Sequence, residues 1–545
     1  MGDLAAEIIR RADAMKSARA VFENHWQEVR DVLMPVGVAF TTRTTPGAKA
    51  HDQVLDSSPE VALEMLAADL HRLLTDPGAR WFHRRPANPA LEGNERVTAA
   101  LEEITSRQFA ALARPSTNFQ MALHEQYMDL SAYGTSCLYM PDIPGRGVMF
   151  QARPLSEMYL AENSFGQIDT WYRRFTLTAR QAVQEWGKAA GERVTKVVED
   201  KPDAEFEFLH AVQPRADRNP ASAAARNMPW ASYWIGLADK HLIREGGYLE
   251  APFVTPRWSR RSGEIYGRGP GTKMLPDAKM LQRAMRAQIR SVEKAMDPPL
   301  MVMDDGVLGP VRTNSSGIIH VRDTLSRQPP VQPLLTGSRP DLGEDFLKGI
   351  RDRIDRGFYN NLLQMLRDPR MTATQVMQIV EETQRVMGPI VSRLAGELLE
   401  PLLDRQFNVM WRNGDFDDID IPQELSGEVL RIEHVSPLAR QQQLSEARAV
   451  VQTLEVMAPL IDMDPSIADN INGDETFRRN AYLFGYPHKG LNSREQVLEI
   501  RKARDQAQAA QQQIEQQAMQ AEAIGKALPA ISAASQPAAP RRRAA

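Results

Sequence analysis

The sequence predicts an α+β chain that is mainly α. Three observations carry that prediction. Long stretches in both halves repeat apolar residues at steps of three and four, the period of a helix with one buried face. Between residues 137 and 258 the pattern changes to period-two runs rich in aromatic and branched side chains, which reads as sheet. Pro and Gly then punctuate a short insert, 297–340, that separates two further helical stretches.

Taken in order, residues 3–34 read as a helix with Ile8, Ile9, Ala12, Val21, Val29 and Leu33 among its apolar positions, ended by Pro35. A second helix opens in "SPEVALEMLAADLHRLLT", with Ser58 as N-cap and Pro59 at the first helical position, and Pro77-Gly78 forbids its continuation. Helices over 95–113 and 119–133 follow. Residues 137–258 are expected to form a mixed sheet with one helix near 178–191 and a hairpin turn at Asn163-Ser164-Phe165-Gly166. A helix over 272–296 stops at Pro298-Pro299. The insert carries short strands "LMVM" and "GIIHVR", and a helix over 341–364 returns from it. After the turn Arg367-Asp368-Pro369-Arg370 comes a long helix, entered through a Thr372–Gln375 capping box. Val376, Val380, Met387, Val391, Leu394 and Leu398 form its buried side, and Pro389 and Pro401 should bend it. Residues 436–526 read as helical, and the tail "ISAASQPAAPRRRAA" as disordered.

Bulk properties bound the function. A chain of 545 residues exceeds what one core serves, so three or four modules are expected. Hydrophobic residues at 42% and charged residues at 25% describe a soluble globular protein. One cysteine, Cys137, excludes a disulfide within the chain and reads as packing in a reducing compartment. No apolar run approaches the roughly 20 residues that span a bilayer. The N-terminus lacks the apolar stretch of a secretory signal, and Ala6 breaks the myristoylation pattern, so no membrane association is expected. Sixty-six Lys and Arg against 70 Asp and Glu give a net charge of −4. A tight nucleic-acid binder would be basic, so any role on DNA must rest on local charge or shape.

Several motifs suggest chemistry and fail on inspection. "YGRGPGTKML" (266–275) opens a helix through glycines, but Lys273 precedes Met274 where a P-loop needs Ser or Thr, so it reads as a flexible joint. "GDFDDIDIP" (414–422) reads as a solvated acidic loop before it reads as a metal site. The ten histidines do not cluster at ligand spacing, and no nucleophile elbow occurs. No catalytic residue, metal or cofactor is therefore assigned, and the chain is not expected to be an enzyme.

The informative segment is "PDAKMLQRAMRAQIRSVEKAMDPP" (276–299). Lys279, Arg283, Arg286, Arg290 and Lys294 fall within a wedge of roughly 80° on a helix. Leu281, Met285, Ile289, Val292 and Met296 form a second stripe roughly 140° away. One face can pack while the other presents five cations. That face is either solvated, or paired with Asp341, Glu344, Asp345, Asp352 and Asp355 of the returning helix, or turned to phosphates. Arg367 and Arg370 bracket a proline in what is either a surface loop or a second basic contact.

The order of these pieces resembles the portal proteins, or head-to-tail connectors, of short-tailed podovirus-type bacteriophages. The likeness runs from about residue 15 to 500. It is carried by "LLTDPGARWF", "YGTSCLYM", "GQIDTWYRRFTLTARQAVQEWG", "YGRGPGTKMLPDAKML", "DPPLMVMDDGVLGP" and "MTATQVMQIVEETQRVMGPIVSRLAGELLEPLLDR". The resemblance implies a portal-type subunit: a mixed-sheet wing over 1–265, a first stem helix over 266–296, a small α/β clip over 297–340 and a second stem helix over 341–364. It further implies a channel loop over 365–371, a long bent helix and wing return over 372–435, a helical crown over 436–500, and a Gln/Ala-rich helix with disordered tail over 501–545. A ring of about twelve copies, made in the host cytoplasm, would sit at the head-tail vertex of the virion. Its partners would be double-stranded DNA, bound without sequence preference, a terminase that supplies the packaging motor, tail adaptors, and capsid and scaffolding proteins. The channel candidates would be Lys279, Arg283, Arg286, Arg290, Lys294, Arg367 and Arg370.

Two rival classes stay in view. A nuclease or ring helicase would need a metal cluster or P-loop. Another head-tail adaptor or a scaffold would be a shorter chain without a helix–insert–helix in its middle.

Overall fold

The computed structural model describes residues 2–42, 47, 49–50, 54–91, 94–143, 147–222, 224–297, 300–302, 331–333, 340–365, 373–425, 427–435, 447, 449–460, 464–484, 486 and 490–534. These divide into two compact units. The first comprises 1–87 and 100–438, and the second 88–99 and 439–545.

The first unit opens with α1 (Gly2–Leu33) and α2 (Ser58–Leu74), close to the predicted bounds. The cap of α2 differs from expectation. Ser57, not Ser58, is the N-cap, and it makes no side-chain bond to the helix. Asp56 does that work, its Oδ1 accepting from the Ser58 N–H at 2.9 Å. After β1 (Phe82–Pro86) come α3 (Glu95–Leu112) and α4 (Phe119–Tyr133). Trp26, Val29 and Leu33 of α1 share one buried cluster with Leu63, Leu66 and Leu70 of α2 and Leu123, Tyr127 and Leu130 of α4. Cys137, on β2 (Cys137–Tyr139), lies in the same cluster, and burial pushes its thiol pKa up, as a packing role requires.

Next come the short strands β3 (Asp142–Ile143), β4 (Gly147–Val148) and β5 (Gln151–Arg153). They lead into β6 (Met158–Glu162), β7 (Ile168–Thr178), β8 (Glu205–Pro214), β9 (Trp230–Gly236) and β10 (His241–Tyr248), which form one sheet in the order β10-β9-β8-β7-β6. Every pairing in it is antiparallel, so the expected mixed sheet is corrected. Strands consecutive in sequence are neighbours in the sheet; β6–β7 and β9–β10 are joined by tight hairpins, which only antiparallel pairs allow, and β7–β8 and β8–β9 pair antiparallel across longer connections. The Asn163–Gly166 turn closes β6–β7 as expected, with Asn163 Oδ1 accepting from the Phe165 and Gln167 N–H groups. Between β7 and β8 the chain makes two helices where one was expected, α5 (Ala179–Trp186) and α6 (Glu192–Asp200). Period two gives the sheet two faces. Tyr172, Leu209, Ala211, Tyr233 and Ile235 bury against Ala5, Ile8 and Ala12 of α1. Phe175 and Phe208 face the other way, under Ala179, Ala182 and Val194 of α5 and α6.

The glycine-rich stretch before the next helix is not a flexible joint. After β11 (Phe253–Val254), a Cβ on Gly267 or Gly269 would run into the backbone of Gly134, and one on Gly271 into that of Ala132. Gly134, at φ +84°, would strike Arg268 and Gly269 in return. The two main chains touch here because neither carries side chains between them. From this crossing runs α7 (Pro270–Met296), and α8 (Pro340–Gly357) returns beside it. Strands β12 (Leu300–Val302) and β13 (Val331–Pro333) pair antiparallel between them. The strand expected at 317–322 lies outside the described residues, as do Pro298-Pro299.

The helix expected over 341–364 is broken. Tyr359 takes φ +62°, a left-handed conformation unusual for a bulky residue, and α9 (Asn360–Met365) starts afresh. Burial of Phe358 and stacking of Tyr359 on Trp258 at 6.1 Å hold the kink in place. Helix α10 (Ala373–Leu394) runs unbroken through Pro389, and a π-helical turn, Ala395–Leu399, leads to α11 (Glu400–Arg412). Met387, Leu394 and Leu398 are buried as their spacing predicts, whereas Thr372 and the side chains of Gln375, Val376 and Val380 lie outside the described residues. Strand β14 (Leu430–His434) pairs with β1 and closes the unit.

In the second unit, helix Gly473–Leu483 is tied to helix Arg494–Ala534 by a bidentate Arg501–Asp474 pair. That helix takes in residues 531–534, the first four of the expected disordered tail. Arg541-Arg542-Arg543 lie outside the described residues.

Two outcomes test this packing. Gly134→Ala combines a positive φ with a backbone collision and should cost at least about 2 kcal/mol, read as a lowered denaturation midpoint. Asp129, half-buried on α4 beside Glu125, has its pKa raised by burial from 3.8 to about 7. Its contribution to stability is therefore full below the ordinary aspartate pKa and lost as pH climbs to about 7. Asp129→Asn should melt like the parent at about pH 4 and higher than the parent at about pH 8.

Candidate nucleic-acid interface

Helices α7 and α8 form an antiparallel pair whose register can be read from three contacts. A Cβ on Gly343 would meet the Gln288 side chain, and one on Gly357 the Met274 side chain. Arg353 lies 3.7 Å from Asp277. The two helices thus run level for about four turns. Glycine at 343 and 357 lets the long side chains of the partner lie flat across the axis.

One end of the pair is anchored. Gln282 Oε1 accepts from the Leu55 and Asp56 N–H groups at 2.8 and 3.1 Å, and its Nε2 donates to the Asp56 carbonyl at 2.7 Å. From α8, Arg351 donates twice to Asp56 Oδ2, at 2.9 and 2.7 Å. Burial works against the Asp56 carboxylate, but Ser58 and the Arg351 guanidinium hold its pKa below the ordinary value. Met274, Leu275, Ala278 and Leu281 are buried around this anchor. Beyond it the covering ends: Ile289 is exposed, and Met296 is 83% exposed. The apolar stripe expected over the whole of α7 is therefore buried only in its first half within one chain.

The five predicted cations divide. Lys279, in the anchored half, pairs with Glu28 of α1 at 2.8 Å. Arg283, Arg286, Arg290 and Lys294 are exposed and make no hydrogen bond or ion pair among the described residues. Glu344, Asp345 and Asp352 of α8 are likewise exposed and unpaired among them. Among the described side chains the pairing within one chain that the sequence allowed does not form, because both charged stripes point away from the helix that faces them; the side chain of Asp341 lies outside the described residues. Asp355 instead hydrogen-bonds Asn360, and burial raises its pKa. Arg367 and Arg370 lie outside the described residues.

The other motifs are absorbed into structure. Arg107 makes a bidentate pair with Asp418 and donates to the Asp415 carbonyl at 2.7 Å, taking up the acidic loop. Among the described residues no His, Cys, Asp and Glu cluster could hold a metal, and no helix is long and apolar enough to cross a membrane.

Sequence reasoning missed a buried charge cluster. Arg257, 3% exposed, reaches Glu162 at the end of β6, Glu397 in the π-helical turn at 2.9 Å, and the Gly166 carbonyl at 3.0 Å. Arg260 adds a bond to Glu162 at 2.8 Å. The signal was present in Glu397-Leu398-Leu399-Glu400-Pro401. Pro401 has no N–H for the Glu397 carbonyl, so the helix widens by one residue there. That turn aims the Glu397 side chain at the sheet.

Comparison with known proteins supplies relatives. Residues 5–491 match the family described as bacteriophage head to tail connecting protein. A probable portal protein of Bordetella phage BPP-1 is 30% identical over 522 residues, 93% of this chain and 92% of that one. The portal protein of Salmonella phage epsilon15 is 27% identical over 517 residues, 92% of each chain. Among solved structures, a chain from the virion of a native gene transfer agent particle aligns with a TM-score of 0.36 at 11% identity, covering 85% of this chain and 99% of that one.

Buried and exposed charges should respond differently to truncation. Glu397→Ala leaves Arg257 buried with half its partners and should cost about 3–5 kcal/mol in chemical denaturation. Arg283→Ala and Arg290→Ala should each change the same measurement by about 0.5 kcal/mol or less.

Proposed function

The chain belongs to the bacteriophage head to tail connecting proteins, and from that premise we propose that it is a portal subunit. Copies form a ring at the head-tail vertex of the virion, and double-stranded DNA passes through that ring during packaging and ejection. Helices α7 and α8 of each copy are the stem that walls the passage. A separate terminase docks on the ring to drive packaging, and tail proteins take its place afterwards. Capsid and scaffolding proteins surround the ring during assembly. The role is structural and needs no catalytic residue.

The observation that carries the reading is the α7–α8 pair itself. It is anchored through Asp56 at one end, uncovered at the other, and bears four cations without partners among the described residues. A ring multiplies each of these cations by the number of copies, so a few positions suffice to line a passage. Each phosphate contact of a stationary binder adds affinity through counterion release. A conduit needs the opposite, and a net charge of −4 on 545 residues limits sticking. The names of the two portal relatives point the same way.

Purified protein viewed in negative stain should be a ring with a central hole; a population of single chains at every concentration tried would sink the proposal. In the assembled ring, Lys294→Glu should leave the particle intact. Its non-specific duplex binding should show a salt slope, log K against log salt, smaller by about 0.9 for each phosphate that Lys294 no longer neutralises.

A further inference from the structure

The stem pair is charged in a way that a single chain cannot satisfy. On α7, Arg286 and Arg290 lie roughly opposite the side that faces α8. On α8, Glu344, Asp345 and Asp352 lie roughly opposite the side that faces α7. The pair is therefore a two-helix slab with a basic edge and an acidic edge. None of these five side chains makes an ion pair among the described residues, although Lys348 stands between Glu344 and Asp352 on the acidic edge and Glu293 lies near Arg290 on α7. Edges that are complementary but on opposite sides cannot meet within one copy. They meet when copies are repeated side by side in one sense, which leaves an open edge at each end until a ring closes.

The register adds residue detail. Gln288 is level with Gly343, and Met274 with Gly357. Counting two residues along each helix from the first of these level pairs puts Arg286 level with Asp345. Counting on, Arg290 stands within about one turn of Glu344. A rotation about an axis along the rods leaves heights unchanged, so these levels carry over from one copy to the next. Arg283 falls level with Lys348 and is not matched. Lys279 already pairs with Glu28. The duplex is a poor occupant for the acidic edge, since its phosphates would face Glu344, Asp345 and Asp352.

Resting on the portal reading, we propose that the basic edge of α7 in one copy docks on the acidic edge of α8 in the next. Arg286–Asp345 and Arg290–Glu344 are the rungs of this inter-copy ladder. The ladder assigns two of the exposed cations to ring closure and leaves Arg283 and Lys294 for phosphates. One rung is worth little by itself, as exposed ion pairs are. Repetition at every interface makes the ring depend on it, and added salt should loosen it.

The full-length chain tests this by sedimentation velocity across a concentration series, with negative stain of the same samples. Arg286→Glu and Asp345→Arg should each move the assembly midpoint to about tenfold higher concentration or beyond. The double variant should return to the wild-type midpoint. An equimolar mixture of the two single variants should also form rings. In an alternating ring, every second interface keeps the wild-type rung and the rest carry its reversal. Rescue by mixing would also show that each variant is folded. Single variants that assemble like wild type overturn the ladder, as do a double variant and a mixture no better than the singles. Wild-type rings in those same samples keep the portal reading standing. A wild-type chain that forms no ring sinks the portal reading and the ladder with it.

Discussion

The placement of both α7 and α8 depends on one short segment, Leu55-Asp56. Gln282 from α7 grips its backbone on both sides, and Arg351 from α8 holds its carboxylate. Because the two helices bind the same residues, neither can slide along the other without breaking hydrogen bonds that are partly or wholly buried. Such bonds cost more to leave unmade than they gain when formed, so they fix register more than they add stability. The glycine crossing at Gly134 and Gly267–Gly271 acts at the start of α7 by bringing backbone directly against backbone. Register, fixed in this way, is what gives meaning to the levels of Arg286 and Asp345.

The rest of the first unit is stitched by arginines used in another manner. Arg19 donates to the carbonyls of Leu155, Ser156 and Met158, Arg84 to that of Leu403, and Arg405 to those of Met140 and Glu250. Each is almost fully buried, and each ties a helix to the irregular edge of a sheet or to another helix. A guanidinium suits this because its planar fork carries five donors and stays charged under desolvation. Carbonyls stranded at strand ends and helix ends find partners there that no regular ladder provides. With Arg257, these residues remove many cations from the surface, so the net charge is a poor guide to what the surface presents.

Much of this was legible in the sequence, for reasons that differ by element. The helices α2, α4 and α7 follow from periodicity, and α2 also from Pro59 at its first position, which are local signals. The Asn163–Gly166 hairpin was legible because Asn163 caps its own turn. Strand direction was not, since it depends on which strands become neighbours. The break at Tyr359 was hidden because a left-handed tyrosine has no local signature and is held by distant Trp258. The site was half legible. Spacing put five cations on one stripe of α7, yet only tertiary packing shows that Lys279 is spent on Glu28 and that the acids of α8 point away from the rest.

On the proposed portal reading, this division of the cations is how a nearly neutral chain would serve a polyanion. If all five cations faced the duplex, a ring would present a dense positive collar, and each contact would add to the affinity. If none did, the wall would carry only the field of its acids and repel the substrate. Pairing part of the stripe across copies lies between these limits. In the proposed ladder, the acids that would repel DNA are consumed at the same interfaces that consume the surplus cations. The charge left on the wall is then set by geometry, by which positions fall level and which do not, and not by composition. On that proposal, moving one cation a single turn along α7 would change the grip on DNA while the overall charge stays the same.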